Sequence, residues 1–292
     1  AGQHVTAATD PLTGLPVYSL YGDTKKPTPA MLDGLDALLF DLQDGGVRFY
    51  TYLSTLVYTM QAAAESNLPL LVLDRPAFLN GLTVEGPTLD PAYTSFVGIC
   101  PVPLRYGLTA GEIARLLNEV LDIGCDLTVV PLYGWRRGMW FDDTGLPFVP
   151  PSPNLPTLAA LTAYPGTCLV EGTTLSEGRG TTRPFEYIGA PWVDAPALAQ
   201  ALNALELPGA RFRPVYFVPT FSKHQGEMCA GVHLYVTDRN RFRPVETALH
   251  LLAQVKRAHP QQFGWREAWA PGGHLPIDLL TGRDQVRLHL DA

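Results

Sequence analysis

Between Pro165 and Trp192 the chain reads PGTCLVEGTTLSEGRGTTRPFEYIGAPW, setting Glu171, Ser176, Glu177, Arg179 and Arg183 among Gly172, Gly178 and Gly180. A glutamate serves as general acid or base when its pKa is raised, and a guanidinium grips a carboxylate through two parallel hydrogen bonds. Together they suit a polar, anionic substrate. The glycines permit backbone conformations and close approaches that a Cβ would block, and Pro184 disfavours continuation into a helix. The competing reading is a solvated loop whose Glu and Arg pair only with one another. A nucleotide site is weaker, because Gly178 and Gly180 give GxG with no third glycine and no helix to receive a pyrophosphate.

The apolar run Thr167 to Val170 predicts a short strand with the loop hung from its end. Upstream, Asp36–Leu42 (DALLFDL), Pro69–Asp74 (PLLVLD) and Asp126–Leu132 (DLTVVPL) are nearly continuous apolar runs, as in strands covered on both faces. Phe49, Tyr52, Leu53, Leu56, Val57, Met60, Ala63 and Ala64 form a helical stripe between the first two. Thr109-Ala-Gly-Glu112 is a capping box, opening a helix expected to bury Ile113, Leu116, Leu117, Val120 and Leu121. Strands alternating with amphipathic helices predict a mostly parallel, doubly wound α/β sheet. Ligands gather beyond the carboxyl ends of such strands, where Asp41, Gln43, Asp44, Arg48, Asp74 and Arg75 fall.

Leu15 to Leu20 reads as a short strand, and Thr28 with Pro29 as a helix start. Gly134 to Asn154 is a proline-rich connection whose Trp135, Trp140 and Phe141 either stack on a sugar face or plug a domain interface. Asp142 and Asp143 read as an ordinary turn before a carboxylate pair. The second half predicts a helix from about Ala195 to Leu205 and a strand from Arg213 to Phe221. It adds a half-exposed strand from Gly231 to Thr237 and a helix from Val245 to Ala258. The loop after Phe221, with Lys223, His224 and Glu227, reads as a hairpin tip. The expected domains are 1–150 and 151–292, with the active cleft between them.

With 292 residues, 46% of them hydrophobic and 17% charged, the chain has ample material for a folded core. A net charge of −7 without a basic tract argues against nucleic acid as a partner. No apolar run reaches the length of a membrane span. Cys100, Cys125, Cys168 and Cys229 form no CxxC and are expected as buried free thiols. The seven histidines show no ligand spacing, so no metal and no cofactor is expected. The chain begins at Ala1, without a signal-peptide pattern, and is expected to be a processed or truncated form.

LPVYSLYG, LLFDLQD with RFYTY, LVLDRP, VEGPTLDP, WFDDTGLP, PSPN, PGTCLVEGT, LSEGRGTTRPFEYIGAPW, LPGARFRPVYF, PTFSK and VTDR run from about Leu15 to Arg239. In these phrases the chain resembles the NamZ-type peptidoglycan exo-β-N-acetylmuramidases. The resemblance implies a Rossmann-like domain joined to a smaller α/β domain, with the active cleft between them. It implies a glycoside hydrolase that removes N-acetylmuramic acid from the non-reducing end of peptidoglycan-derived muramic acid glycosides. A secreted or cell-envelope location follows from the same likeness. The family also implies βα units ahead of the point matching Ala1, with a Gly-Pro-Glu-His-Gly phrase that nothing here matches. Ala77-Phe78-Leu79 stands where the family has an Asn-Pro-rich turn.

The catalytic candidates are Glu85, Glu112, Glu171 and Glu177, of which Glu112 has a competing role in its capping box. The candidates for holding substrate are Arg48, Tyr50, Asp74, Arg75, Asn154, Ser176, Arg179 and Arg183. One glutamate is expected to protonate the glycosidic oxygen while arginines hold the lactyl carboxylate, with assistance from the 2-acetamido group as a variant. A sugar-binding module without turnover is the alternative from another class.

Overall fold

The computed structural model describes residues 6–292. Its first half is built on a parallel sheet. The strands are β3 (Leu38–Phe40), β4 (Leu70–Leu73) and β7 (Leu127–Val130), in the order β3-β4-β7. Leu38 pairs with Leu70, Phe40 with Val72, and Val72 with Val129. One face of this ladder packs on α2 (Tyr52–Glu65) and α3 (Ala110–Val120), burying Leu53, Leu56, Met60, Ile113 and Leu117. Right-handed crossovers between sequentially adjacent strands place both helices on the same face.

Among the described residues the helices therefore cover this sheet from one side, which corrects the expectation of strands buried on both faces. Leu39 is 64% exposed and Val130 44%, both on the far face. The sheet is singly wound where the sequence pattern predicted double winding. The same geometry trims α3, because a helix over three strands buries a narrow stripe. Leu116 and Val120, expected inside, are exposed. Ahead of the sheet lie β1 (Ala8–Thr9), β2 (Pro16–Val17) and α1 (Pro29–Leu32). The strand predicted over Leu15 to Leu20 thus shrinks to two residues. The hairpin pair β5 (Glu85–Thr88) and β6 (Pro103–Arg105) fills the segment between β4 and α3.

The second half holds an antiparallel sheet in the order β8-β10-β9, made of β8 (Tyr187–Ala190), β9 (Ala210–Phe217) and β10 (Cys229–Val236). Against it pack α4 (Leu158–Thr167) and α5 (Ala195–Asn203), α6 (Pro244–Ala258) lies on those two helices, and α7 (Pro276–Thr281) and α8 (Gln285–Asp291) close the chain. Thr167 to Val170 is not a strand. It is the end of α4 continuing into a 3₁₀ turn, Cys168–Gly172. This helix is apolar nearly all round and buried, so it lacks the stripe that marks a helix in sequence. Pro165-Gly166, which resembles punctuation, lies inside it, and a Cβ at Gly166 would meet Pro244 O at 1.8 Å. The helix needs glycine there to touch α6.

β10 is the central strand, and its His233 is buried rather than exposed, covered by the rings of Tyr187 and Tyr235. A single apolar cluster spans both halves: Val47, Phe49, Phe78 and Phe141 pack with Leu161, Leu169, Phe185 and Leu252. Trp140 is buried in it and donates from Nε1 to Asn240 Oδ1 at 2.9 Å, so it seals the halves. Asp142 and Asp143 pair with Arg239, at 2.6 and 3.4 Å. The four cysteines are buried and unpaired.

Candidate active site

Glu171 lies in the 3₁₀ turn that prolongs α4, and Glu177 and Arg179 lie in the glycine-rich loop that follows. Arg179 donates from Nη2 and Nε to Glu171 Oε1 at 2.6 and 3.1 Å, and its Nε is 3.2 Å from Glu177 Oε1. The guanidinium lies 5.1 Å above the Phe185 ring. The Glu177 side chain is only 3% exposed and the Glu171 side chain 23%. Lys223 Nζ completes a quartet at 2.9 Å from Glu177 Oε2. Its well-directed protons go instead to Val170 O at 2.9 Å and Thr173 O at 3.1 Å. Two anions and two cations thus share one half-enclosed space.

Burial would lower the Arg179 pKa, but the charges of Glu171 and Glu177 outweigh it and raise it. Burial lowers the Lys223 pKa, with Glu177 opposing. Burial and the neighbouring Glu171 hold Cys168 well above the ordinary thiol range. Arg179 is therefore held as a cation, and the buried Cys168 as a neutral thiol.

The loop is held by the close approaches that its glycines promised. Gly178 has φ +78°, and a Cβ there would stand 2.6 Å from Tyr187 O. Gly180, at φ +79°, lets Thr220 donate to Gly180 O at 2.9 Å, which docks the Lys223 loop onto the Arg179 loop. Ser176 is buried and serves the scaffold. Its backbone exchanges hydrogen bonds with Gly189, and its Oγ accepts from Gly178 N at 3.1 Å.

Six described non-glycine residues have positive φ. Asn67, Asp122 and Glu206 end helices, where left-handed residues are ordinary. The other three, Phe185 (φ 65°), Ser222 (φ 74°) and His224 (φ 56°), surround the quartet. Three of the six described positive-φ residues outside glycine therefore lie in the backbone that frames this cluster.

The remaining sequence candidates go elsewhere. Glu112 closes its capping box and pairs with Arg137. Glu85 accepts from Glu246 N at 2.9 Å and so caps α6; burial raises its pKa. Arg48 is fully buried and donates to Pro87 O, Val102 O and Leu280 O at 2.8, 2.7 and 3.2 Å, tying three segments together. Asp74 accepts from Gly111 N at 2.8 Å and Thr109 Oγ1 at 2.7 Å, fixing the start of α3. Arg183 is 46% exposed and stands 3.6 Å from Glu186 Oε2, apart from the quartet. Asn154 donates from its backbone N to Ser152 Oγ at 3.4 Å, and among the described residues its side chain makes no hydrogen bond to the quartet. The Lys223 loop, read in sequence as a hairpin tip, supplies the member that sequence reasoning missed. Lysine beside PTFS carries no local signal for it.

Beyond the carboxyl ends of β3 and β4 lies a cleft of about 530 Å³, lined by Asp41, Gln43, Tyr52, Arg75, Phe78 and Phe141 with Pro147, Pro150 and Pro151. Arg75 donates to Asp41 Oδ1 at 2.7 Å across its rim. A column of rings joins this cleft to the quartet: Tyr52 to Tyr50 (5.0 Å), Tyr50 to Tyr164 (6.4 Å), Tyr164 to Phe185 (4.7 Å), and then Arg179. Tyr50 is locked by donating to Pro151 O at 2.9 Å. Behind the cleft Asp44 accepts from Gly46 N at 2.8 Å and from Tyr106 Oη, its Oδ1 enclosed without a partner. Burial pushes its carboxyl up to about 6. Among the described residues no group of His, Cys, Asp and Glu is placed to hold a metal ion.

The sequence matches the family described as exo-beta-N-acetylmuramidase NamZ, its N-terminal part over residues 1–159 and its C-terminal part over 162–292. It is 54% identical over 291 residues to the peptidoglycan beta-N-acetylmuramidase NamZ of Bacillus subtilis (strain 168), covering all of this chain and 69% of that protein. A crystal structure of a DUF1343 family protein from Bacteroides fragilis superposes with a TM-score of 0.89 at 38% identity, covering 97% of this chain and 74% of the other. A second DUF1343 protein from that organism gives 0.71 at 31% identity, with 97% and 73% covered.

Proposed function

The chain belongs to the NamZ family of exo-beta-N-acetylmuramidases, and from that premise we propose that it removes terminal N-acetylmuramic acid from peptidoglycan fragments. The observation that carries this reading is the 54% identity to a peptidoglycan beta-N-acetylmuramidase along the whole chain. The reaction is glycoside hydrolysis: a carboxyl group protonates the leaving oxygen and water takes the sugar.

In this reading Arg179 is the anchor for the lactyl carboxylate. It is kept as a cation and already holds one carboxylate, Glu171, at 2.6 Å. An incoming carboxylate exchanges with Glu171 and takes its place on Arg179; Glu171, no longer held as an anion, takes up a proton from water and passes it to the glycosidic oxygen. Glu177 stays behind this exchange, held by two cations. The acetamido group of the sugar stands ready as a partner for the freed acid. The substrate lies outside the cytoplasmic membrane, so the same reading puts the protein to work in the cell envelope or beyond. Among the described residues no helix is long and apolar enough to cross a membrane.

The test is product release from a chromogenic N-acetylmuramic acid glycoside by the chain and by its Glu171→Gln and Arg179→Gln variants. Glu171→Gln should lose mainly kcat and Arg179→Gln mainly KM. A chain that binds the glycoside without releasing product is a binding module. Two variants with wild-type kinetics would remove the quartet from the mechanism.

A further inference from the structure

Lys223 sits in the loop between β9 and β10, whose neighbouring side chains Phe221, Gln225 and Glu227 are exposed. It alone in that run is turned inward to an anion. Two unfavourable terms oppose this placement. Its ammonium leaves water, and the backbone on either side is left-handed at non-glycine residues, Ser222 (φ 74°) and His224 (φ 56°). Each such residue stores backbone strain. His224 Nε2 lies 2.8 Å from Thr174 O, which pins the loop in this conformation.

What the placement achieves is local. The ammonium caps the carbonyls of Val170 and Thr173 at the exit of the 3₁₀ turn that carries Glu171. It also stands 2.9 Å from Glu177 Oε2. Glu177 is buried, and among the described residues the only other cation within ion-pair distance of it is Arg179, at 3.2 Å. Arg179 is shared with Glu171. Remove the ammonium, and one buried carboxylate is left competing with a more exposed one for a single guanidinium. A buried charge without its partner is strongly destabilised, so Glu177 takes Arg179.

Resting on the hydrolase reading above, we propose that Lys223 is a positioning residue. It neutralises Glu177, so that Arg179 remains directed at Glu171 and at the substrate carboxylate. The loop strain is what aims it there. The role differs from a merely structural one in a measurable way: it depends on the balance of charge with Glu177, not on the presence of a long side chain.

The experiment compares wild type, Lys223→Met and the double variant Lys223→Met/Glu177→Gln on a chromogenic N-acetylmuramic acid glycoside. Lys223→Met should raise KM roughly tenfold or more. The double variant, which removes the inner anion together with its cation, should recover KM to within about threefold of wild type. Wild-type KM in Lys223→Met overturns the proposal, and so does a double variant no better than the single one. Should Lys223→Met fail to fold, Lys223→Arg decides: a folded protein with near-normal KM supports the role, and one that has lost substrate affinity overturns it. If wild type binds N-acetylmuramic acid but releases no product, the hydrolase reading fails by itself. The same variants are then ranked by Kd for that sugar, where the same order is expected.

Discussion

Replacing Asp44 by Asn tests the electrostatics behind the cleft. The Asp44 carboxyl is enclosed: Oδ1 has neither solvent nor partner, and Oδ2 is met by Tyr106 Oη and Gly46 N. Burial raises its pKa from 3.8 to about 6 against hydrogen bonds from Tyr106 and the backbones of Gly46 and Gly45. A carboxyl with a raised folded-state pKa binds its proton more tightly in the native state. Its favourable contribution is therefore complete below about pH 3.8 and is lost as pH rises through about 6. At about 1.4 kcal/mol for each tenfold change in proton affinity, the loss is roughly 3 kcal/mol across that window. Asn has the same shape and no charge to desolvate, and it gives up at most one hydrogen bond, about 1 kcal/mol. Asp44→Asn should therefore be about 1–3 kcal/mol more stable than wild type at pH 8, with the advantage gone near pH 4. Urea titrations of both proteins at several pH values read this directly. A stability difference independent of pH, or one favouring wild type at pH 8, would refute the assignment of a desolvated carboxyl.

Arg48→Met removes a guanidinium whose burial has already pushed its pKa down to about 10 and strands the three carbonyls it serves. A loss of roughly 3 kcal/mol is expected by urea denaturation, with KM unchanged in whatever folds. Gly166→Ala places a methyl 1.8 Å from Pro244 O and should cost about 3 kcal/mol or more, or abolish soluble expression, by parting α4 from α6. Arg75→Ala breaks a rim ion pair that water reaches freely and should change stability by less than about 1 kcal/mol. Since burial lowers the Lys223 pKa, activity should fall at alkaline pH as its ammonium is lost, and Lys223→Arg should move that limb upward in a pH–rate profile.

What could be read from the sequence was what neighbouring residues decide among themselves. Thr109 and Glu112 lie three apart, and their reciprocal cap is present: Thr109 N donates to Glu112 Oε2 and Glu112 N to Thr109 Oγ1. The stripe of α2 and the presence of strands at β3, β4 and β7 are likewise written in local patterns. The failures concern partners far away in the chain. Leu39 looks buried because an apolar run does not say how many faces are covered. Thr167 to Val170 looks like a strand because a helix enclosed on all sides has no stripe. Arg48, beside a predicted strand end, looked like a substrate ligand, while the carbonyl of Leu280 that it serves lies in α7. Lys223 was invisible for the same reason: what makes it interesting is Glu177, across two strands and a helix.

The balance of charge in the quartet bears on how an acidic protein handles an acidic sugar. At net −7 its overall field repels a carboxylate, and in 0.1 M salt that field fades within about 10 Å. Attraction must therefore be local. An unpaired arginine would supply it, but would stand desolvated in the empty site at considerable cost. Pairing Arg179 with the partly exposed Glu171 resolves this, because the resting partner is a carboxylate that an incoming one can replace. The exchange works only if the second carboxylate, Glu177, does not compete for the same guanidinium. On the role proposed for it, Lys223 prevents that competition, and this gives the site a use for its fourth charge and for the strained loop that carries it.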